Sequence, residues 1–317
     1  MKRRKLSGKG TSLLLSLVTV AVALLYILFG DRLAGLLGRD TGNRPSTAPD
    51  GILEVHIIDV GQGDSILVRT DDRVLLIDAG TNSSEDELRA YLDACGVDDI
   101  DIFVCTHPHE DHIGGADMIL GEYNVERLIM PETESSTVTV TKLLDALEAS
   151  DAVYTEPVVG DVYTIGGFAF TILAPDESVA DDSNNSSIVL RLDYGSTSFM
   201  FTGDAEAESE ACILAEFSPS ELDCDFLKLG HHGSTTSTSE AFLDAVSPEY
   251  AAISCGEGNS YGHPHREILE LLESRGITGD KLLRTALDGT CVIYSDGERI
   301  STDIDSLLTS EPTDAAA

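Results

Sequence analysis

The chain has 317 residues with 20 basic and 56 acidic side chains, a net charge of −36, and length for one large domain plus short extensions. Residues 1–50 hold eight of the bases and three of the acids, so residues 51–317 carry a net −41 and repel polyanions at long range. That balance argues against tight non-specific nucleic-acid binding, which depends on neutralising phosphates with Lys and Arg.

Residues 1–11 form a basic tail with Lys2, Arg3, Arg4, Lys5 and Lys9. Residues 12–30 then run 19 positions without a charge, dominated by Leu, Val and Ala. At about 1.5 Å per residue this nearly crosses a hydrocarbon core about 30 Å thick. The preceding bases predict a cytoplasmic N-terminus with the rest exported. A cleaved signal peptide is the competing possibility. The small-x-small site Ala21-Val22-Ala23 lies in the middle of the run, which favours an uncleaved single-pass anchor. Residues 31–50 lack periodicity and read as a linker.

From Gly51 the pattern changes to short apolar runs separated by turn signals. Strands are predicted at Ile52–Val60, Ser65–Thr70 and Val74–Ile77, then a helix at Ser84–Cys95 stopped by Gly96. Further strands fall at Ile100–Cys105, Val125–Met130 and Phe168–Leu173, with a helix at Val138–Ala149. Ser187–Leu192 and Ser198–Phe201 read as a hairpin, followed by helix 206–216, strand Phe226–Leu229, helix 239–246, strand Tyr250–Cys255 and helix 266–274. Three closing strands end near Ser301, and residues 303–317 read as a disordered acidic tail. The predicted domain therefore spans 51–302, and the periodicity alone implies α/β or α+β. The six cysteines show no C-x-x-C spacing; Cys105, Cys255 and Cys291 sit in apolar runs and read as core thiols, with disulfides open if the domain is exported.

Cys105-Thr106-His107-Pro108-His109-Glu110-Asp111-His112-Ile113-Gly114-Gly115 follows the apolar run Ile102-Phe103-Val104. It puts three of the eight histidines and an aspartate within six residues, on a loop leaving a strand end. In an extended loop His107 and His109 face the same side, and Gly114-Gly115 lets the backbone turn tightly. Imidazole with carboxylate suits Zn²⁺, Mn²⁺ or Fe. Two later strand ends add donors: Phe199-Met200-Phe201-Thr202-Gly203-Asp204 and Phe226-Leu227-Lys228-Leu229-Gly230-His231-His232-Gly233-Ser234. A carboxylate has two oxygens and can hold two cations about 3.5–4 Å apart, an arrangement used to activate water.

His-x-His-x-Asp-His after a strand resembles the metal-binding signature of the metallo-β-lactamase fold superfamily. His56-Ile57-Ile58-Asp59-Val60-Gly61-Gln62-Gly63-Asp64-Ser65 looks like the entry motif of the branch containing the hydrolase domain of the ComEC/Rec2 DNA-uptake (competence) proteins. The resemblance covers about residues 51–300 and implies a four-layer αββα sandwich behind the N-terminal transmembrane helix. It implies metal ligands His107, His109, Asp111, His112, the bridging Asp204, and His231 as the last ligand, with His232 the weaker of the pair. Asp78, in Leu75-Leu76-Ile77-Asp78-Ala79-Gly80, is similar to the family aspartate that supports the metal loop through hydrogen bonds; the alternative is a plain turn aspartate. Gln62 and Asp64 stand at the rim of the cleft; the alternative is a structural turn in which Asp59 and Asp64 satisfy backbone N–H groups. Ser234 faces substrate or supports its turn. In the late loop Asn259-Ser260-Tyr261-Gly262-His263-Pro264-His265, His263 protonates a leaving group or contacts a substrate oxyanion, with His265 the lesser candidate. Asp111 and His263 are the catalytic candidates.

One departure from the family pattern stands out. Where the superfamily supplies a further histidine, this chain reads Ile172-Leu173-Ala174-Pro175, and no histidine lies between His112 and Asp204. The first metal is then left with His107, His109 and Asp204, unless Asn184 or Asn185 fills the gap. The alternative is one metal on Asp111, His112, Asp204 and His231. The expectation is a membrane-anchored, extracytoplasmic hydrolase using one or two divalent transition metal ions, Zn or Mn, and a metal-activated water. Phosphodiester hydrolysis, including a nuclease, leads. The rivals are a phosphorylcholine-type phosphoesterase on cell-wall polymers, a carboxylic-ester or lactone hydrolase, and a metal-depleted binding protein. No stable sequence-specific nucleic-acid binding is expected.

Overall fold

Strands apolar on both faces need cover on both sides, and that requirement builds this fold. The computed structural model describes residues 51–180, 183–303 and 306–307. The basic tail, the 12–30 run, the 31–50 linker and most of the acidic tail lie outside the described residues. Among the described residues no helix is long and apolar enough to cross a membrane.

Eight strands, β1 (Leu53–Ile57), β2 (Ile66–Arg69), β3 (Val74–Ile77), β4 (Asp99–Val104), β5 (Asn124–Ile129), β6 (Val153–Thr155), β14 (Cys291–Ser295) and β15 (Ile300–Ser301), form one sheet. Their order is β15-β14-β1-β2-β3-β4-β5-β6. The second sheet holds β7 (Val162–Ile165), β8 (Phe168–Ala174), β9 (Val189–Tyr194), β10 (Thr197–Phe201), β11 (Phe226–Lys228), β12 (Tyr250–Ile253) and β13 (Leu282–Arg284). They are ordered β13-β12-β11-β10-β9-β8-β7. Each sheet is antiparallel in one half and parallel in the other, the parallel runs being β3 to β6 and β10 to β13. Parallel strands end at a common edge, so the loops leaving them gather there.

Successive strand side chains point to opposite faces, and three apolar layers result. Ile102 and Val104 of β4 and Phe199 and Phe201 of β10 meet in the core between the sheets. Phe103, between the first two, points outward to Leu88 and Leu92 of α1 (Glu85–Ala94), Ile113 of α2 (Glu110–Ile113), Ile119 of α3 (Ala116–Glu122) and Leu143 of α4 (Val138–Ala149). Met200 likewise points out to a layer holding Ile213 of α5 (Ala207–Glu216), Leu222 of α6 (Pro219–Leu222), Phe242 of α7 (Glu240–Val246) and Leu272 of α8 (Arg266–Ser274). Helices thus cover both outer faces of a two-sheet sandwich. All six cysteines are free thiols, with Cys105, Cys224, Cys255 and Cys291 buried.

The Gly114-Gly115 pair corrects a detail of the expectation. Gly114 has φ −55° and Gly115 φ −89°, values open to any residue, so no tight turn requires them. Close approach does. The Gly114 N–H donates to Gly80 O at 2.7 Å, and a Cβ on Gly114 would collide with the backbone of Thr81 and Asn82. We expect Gly114→Ala to lose about 1–3 kcal/mol through overpacking. Gly121→Ala, in α3 with open space around its Cβ position, should gain about 0.5–1 kcal/mol. Urea unfolding of the two variants checks the pair.

Candidate metal centre

The loops leaving β3, β4, β10 and β11 meet at one edge of the sandwich. Asp78, just beyond β3, adopts φ 59°, a left-handed conformation sparsely used by residues other than glycine. Its N–H donates to Val104 O at 2.8 Å, locking β3 to the end of β4. Its carboxylate then accepts from Thr106 N and Thr106 Oγ1, each at 2.7 Å, and contacts His112 Nδ1 at 2.7 Å. With His112 Nδ1 so occupied, Nε2 is turned into the cleft.

His232 is oriented in the same manner. Its Nδ1 contacts the Ser254 carbonyl at 3.0 Å, which leaves Nε2 3.2 Å from Asp111 Oδ2 and 3.5 Å from Asp204 Oδ2. His112 Nε2 lies 3.2 Å from Asp204 Oδ1. Asp111, His112, Asp204 and His232 each offer a donor atom within 4.8 Å of the others. His107, His109 and Asp204 form a second such group. There His107 Nε2 stands 3.0 Å from His109 Nδ1 and 3.8 Å from Asp204 Oδ2, while Ser183 Oγ holds His109 Nε2 at 2.7 Å. Asp204 is common to both groups, and its N–H donates to Ser187 Oγ.

Buried polar atoms normally find a hydrogen-bond partner. Among the described residues His112 Nε2, His232 Nε2 and Asp204 Oδ1 are buried and have none. Three orphaned donor atoms converging on one point fit a cation, and the cluster is suited to one or two metal ions. The charges in the cluster shift one another's pKa values. Burial alone would raise the Asp204 pKa, but His112, His232 and His107 hold it well below the usual carboxylate range. Burial would lower that of His232; Asp204, Asp111 and Asp64 outweigh it and raise it to about 9. His112 is likewise raised against its burial by Asp204 and Asp78. Burial and the neighbouring His112 push His107 well down. Asp111, despite burial, is drawn down to about 2 by His232 and His112.

The structure reverses the order expected for the paired histidines. His231 (φ 46°) and His232 (φ 54°) both adopt left-handed backbone, and this double turn aims the second ring inward. The His232 side chain is 2 % exposed and that of His231 24 %. His231 sits at the rim, its Nδ1 held by Thr236 Oγ1 at 3.0 Å and Glu206 Oε1 at 3.1 Å and its Nε2 3.8 Å from Asp204 Oδ2.

The remaining expected residues divide into cleft and scaffold. Gln62 and His263 line the cleft with His109, Asp111 and Asp204, in a cavity of about 540 Å³. Gln62 Oε1 also accepts from Gly256 N, and His263 Nδ1 is buried with no partner among the described residues. Burial and the imidazoles of His232, His231 and His265 depress the His263 pKa to about 4, so its ring is neutral near pH 7. Asp59 is exposed and closes its own turn by accepting from Gly61 N. Asp64 does not reach the rim; it is buried in an ion pair with Lys228. Asn185 Oδ1 accepts from Glu206 N and Ser209 N at the start of α5, whereas Asn184 lines the cleft. Ser234 Oγ accepts from Thr236 N and Oγ1, and His265 Nδ1 accepts from Thr235 N, so both brace a turn. Ala174 follows a register shift in β8 and packs in the layer under α5 and α7. Ser183, which orients His109, and Lys228 were not anticipated.

A profile of the metallo-beta-lactamase superfamily matches residues 58–257. The chain is 36 % identical over 267 residues to ComE operon protein 3 of Bacillus subtilis, covering 78 % of this chain and 34 % of that protein. It is 34 % identical over 255 residues to competence protein ComA of Neisseria gonorrhoeae, covering 80 % of this chain and 34 % of that one. The chain spans about a third of the length of these relatives. Among solved structures, the metallo-beta-lactamase fold protein YhfI of Bacillus subtilis shares the fold with a TM-score of 0.50 at 13 % identity, over 74 % of this chain and 96 % of that one.

Two outcomes follow from the geometry. His232→Ala should cut metal affinity or stoichiometry, whereas His231→Ala should leave both near wild type; metal content by mass spectrometry after dialysis distinguishes them. Metal binding must displace the proton that His232 holds up to about pH 9, because only the neutral ring has a free Nε2 lone pair. Apparent affinity should therefore rise with pH, by about tenfold per unit for each proton displaced. Calorimetry in buffers of different ionisation enthalpy counts the protons released.

Proposed function

Because the chain belongs to the metallo-beta-lactamase superfamily, as a ComEC/Rec2-like member, we propose that this metal-dependent hydrolase is a phosphodiesterase. The observation that carries the proposal is the sharing of Asp204 between two donor groups. Paired sites of that kind hold the attacking and leaving oxygens of an in-line displacement together. Two divalent ions, Zn²⁺ or Mn²⁺, fit the two groups and, when bound, supply water activation and charge stabilisation at phosphorus.

The chain's own residues do the rest. Asp111, ionised through the neutral range and facing the cleft, accepts the proton of the attacking water. Asp78 and the Ser254 carbonyl keep the His112 and His232 rings in register. His263, neutral near pH 7 and stacked on Tyr261 at 5.6 Å, offers a hydrogen bond to a substrate oxygen and not a full positive charge. On this reading His263 makes the oxyanion contact in place of a general-acid role.

A specific feature favours phosphorylcholine-type esters over a nucleic-acid strand. Next to the cleft lies a cavity of about 620 Å³ that shares His109 and Glu110 with it and adds Glu132, Glu134 and hydroxyls such as Thr137. Among the described residues no Lys or Arg lines either cavity. Successive phosphates of a polynucleotide would meet carboxylates there, while a cationic or hydroxyl-rich substituent would be welcomed. One relative is named a competence protein, so nuclease work in DNA uptake is the competing assignment. The uncharged run 12–30 behind five bases supports an anchor that holds the domain outside the membrane.

The test assays p-nitrophenyl phosphorylcholine, bis-p-nitrophenyl phosphate, single-stranded DNA and p-nitrophenyl acetate with Mn²⁺ or Zn²⁺. Turnover of a phosphodiester, abolished by Asp204→Ala and reduced about 10²–10³-fold by His263→Ala through loss of one oxyanion donor, is expected. His265→Ala should keep most of it. Turnover of the acetate alone would move the enzyme to carboxylic esters or lactones. Less than one metal per chain with no turnover would leave a binding protein.

A further inference from the structure

Lys228 lies in the apolar strand Phe226–Lys228 and is 0 % exposed. A lysine is almost never fully buried without a partner. Its Nζ donates to Asp64 Oδ2 at 2.8 Å and to Leu229 O at 2.9 Å. Asp64 comes from the other sheet, on the loop between β1 and β2. Its N–H donates to Asp111 O at 3.1 Å, its own carbonyl accepts from Gly80 N at 2.8 Å, and its Oδ1 stands 3.4 Å from His232 Nδ1. The approach to Asp111 is close enough that a Cβ on the neighbouring Gly63 would strike the Asp111 carbonyl oxygen.

Asp64 therefore touches both members of a pair that must meet: Asp111, delivered by the first sheet, and His232, delivered by the second. Lys228 pins Asp64 from the strand that leads into His232. We propose that the Lys228–Asp64 ion pair is a strut that sets the Asp111–His232 separation, with Lys228 as a positioning residue for the metal centre. Stability alone is a poor account of it, because replacing a buried ion pair by well-packed apolar side chains of similar volume is often neutral or stabilising. A strut joining two loops on opposite sheets does account for a charged pair there, since its length and direction are fixed by hydrogen bonds. Apolar contact would leave both free to slide.

This inference rests on the metal-centre reading, and cobalt titration of the full chain, followed by visible absorbance, separates the two. Wild-type protein that binds no Co²⁺ would defeat the metal centre itself. With binding established, Lys228→Met should lower the thermal midpoint of the metal-free protein, because Asp64 is left buried and unpaired. Asp64→Val/Lys228→Met should return the midpoint toward wild type. Its Co²⁺ affinity should nonetheless fall by about 10–100-fold, the usual cost of losing a group that orients a ligand, with shifted d–d bands. A stable double variant with wild-type affinity and spectrum overturns the proposal, since the pair would then be filling space. Should the double variant not fold, Asp64→Asn carries the test: it keeps the shape but removes the charge that draws Lys228 in. Lowered Co²⁺ affinity is expected there, and wild-type affinity overturns the inference equally.

Discussion

Asp204 is 2 % exposed, has one carboxylate oxygen with no hydrogen-bond partner among the described residues, and stands within 4 Å of His107, His112, His231 and His232. A carboxylate taken out of water costs several kcal/mol unless charges and donors compensate it. Everything around the cleft can be understood as that compensation. The parallel half of each sheet ends at the same edge, so loops distant in the chain supply imidazoles to one carboxylate. His112 and His232, whose pKa values the carboxylates raise, supply compensating charge, and the same Nε2 atoms would offer lone pairs to a cation. The same atoms serve both roles, so the orientation of each ring matters.

That orientation is held by groups that never face the cleft. Asp78 fixes His112, the Ser254 carbonyl fixes His232, and Ser183 fixes His109. Three residues at the site, Asp78, His231 and His232, sit in left-handed backbone although none is glycine. Such conformations cost of order 1–3 kcal/mol each and persist only where surrounding structure over-determines them. Here the surroundings are backbone hydrogen bonds across loops, such as Asp78 N to Val104 O and His231 N to Gly203 O. The strain aims side chains that an unstrained loop would point elsewhere.

Much of this was legible in the chain. The runs at Ile100–Cys105, Ser198–Phe201 and Tyr250–Cys255 are rich in apolar β-branched or aromatic residues, and each became a strand; the first two lead directly into His107 and Asp204. Elements with weaker patterns escaped. β6 and β7 are short edge strands with exposed Val153, Tyr154 and Val162, so no buried face stamped a period on them. The helix α3 was hidden behind the two glycines that precede it. Lys228 did leave a signal, since a lysine inside an apolar strand demands a buried partner; the partner, 164 residues away, left none.

By itself, the sequence determined the donor inventory and the class of chemistry. Three histidines and an aspartate in six residues, with Asp204 and a histidine pair at later strand ends, admit few other uses. Tertiary structure decided which donors meet. It exchanged His231 for His232 because two consecutive left-handed residues rotate the turn, and no residue type at those positions announces φ. It sent Asn185 to the start of a helix and Asn184 to the cleft. It placed Ala174, the position where a further histidine was expected, among the apolar contacts beneath the outer helices after a register shift in β8. Spacing along a chain fixes which residues are available. The backbone path of loops anchored on two different sheets fixes where they point, and that path depends on contacts made more than a hundred residues apart.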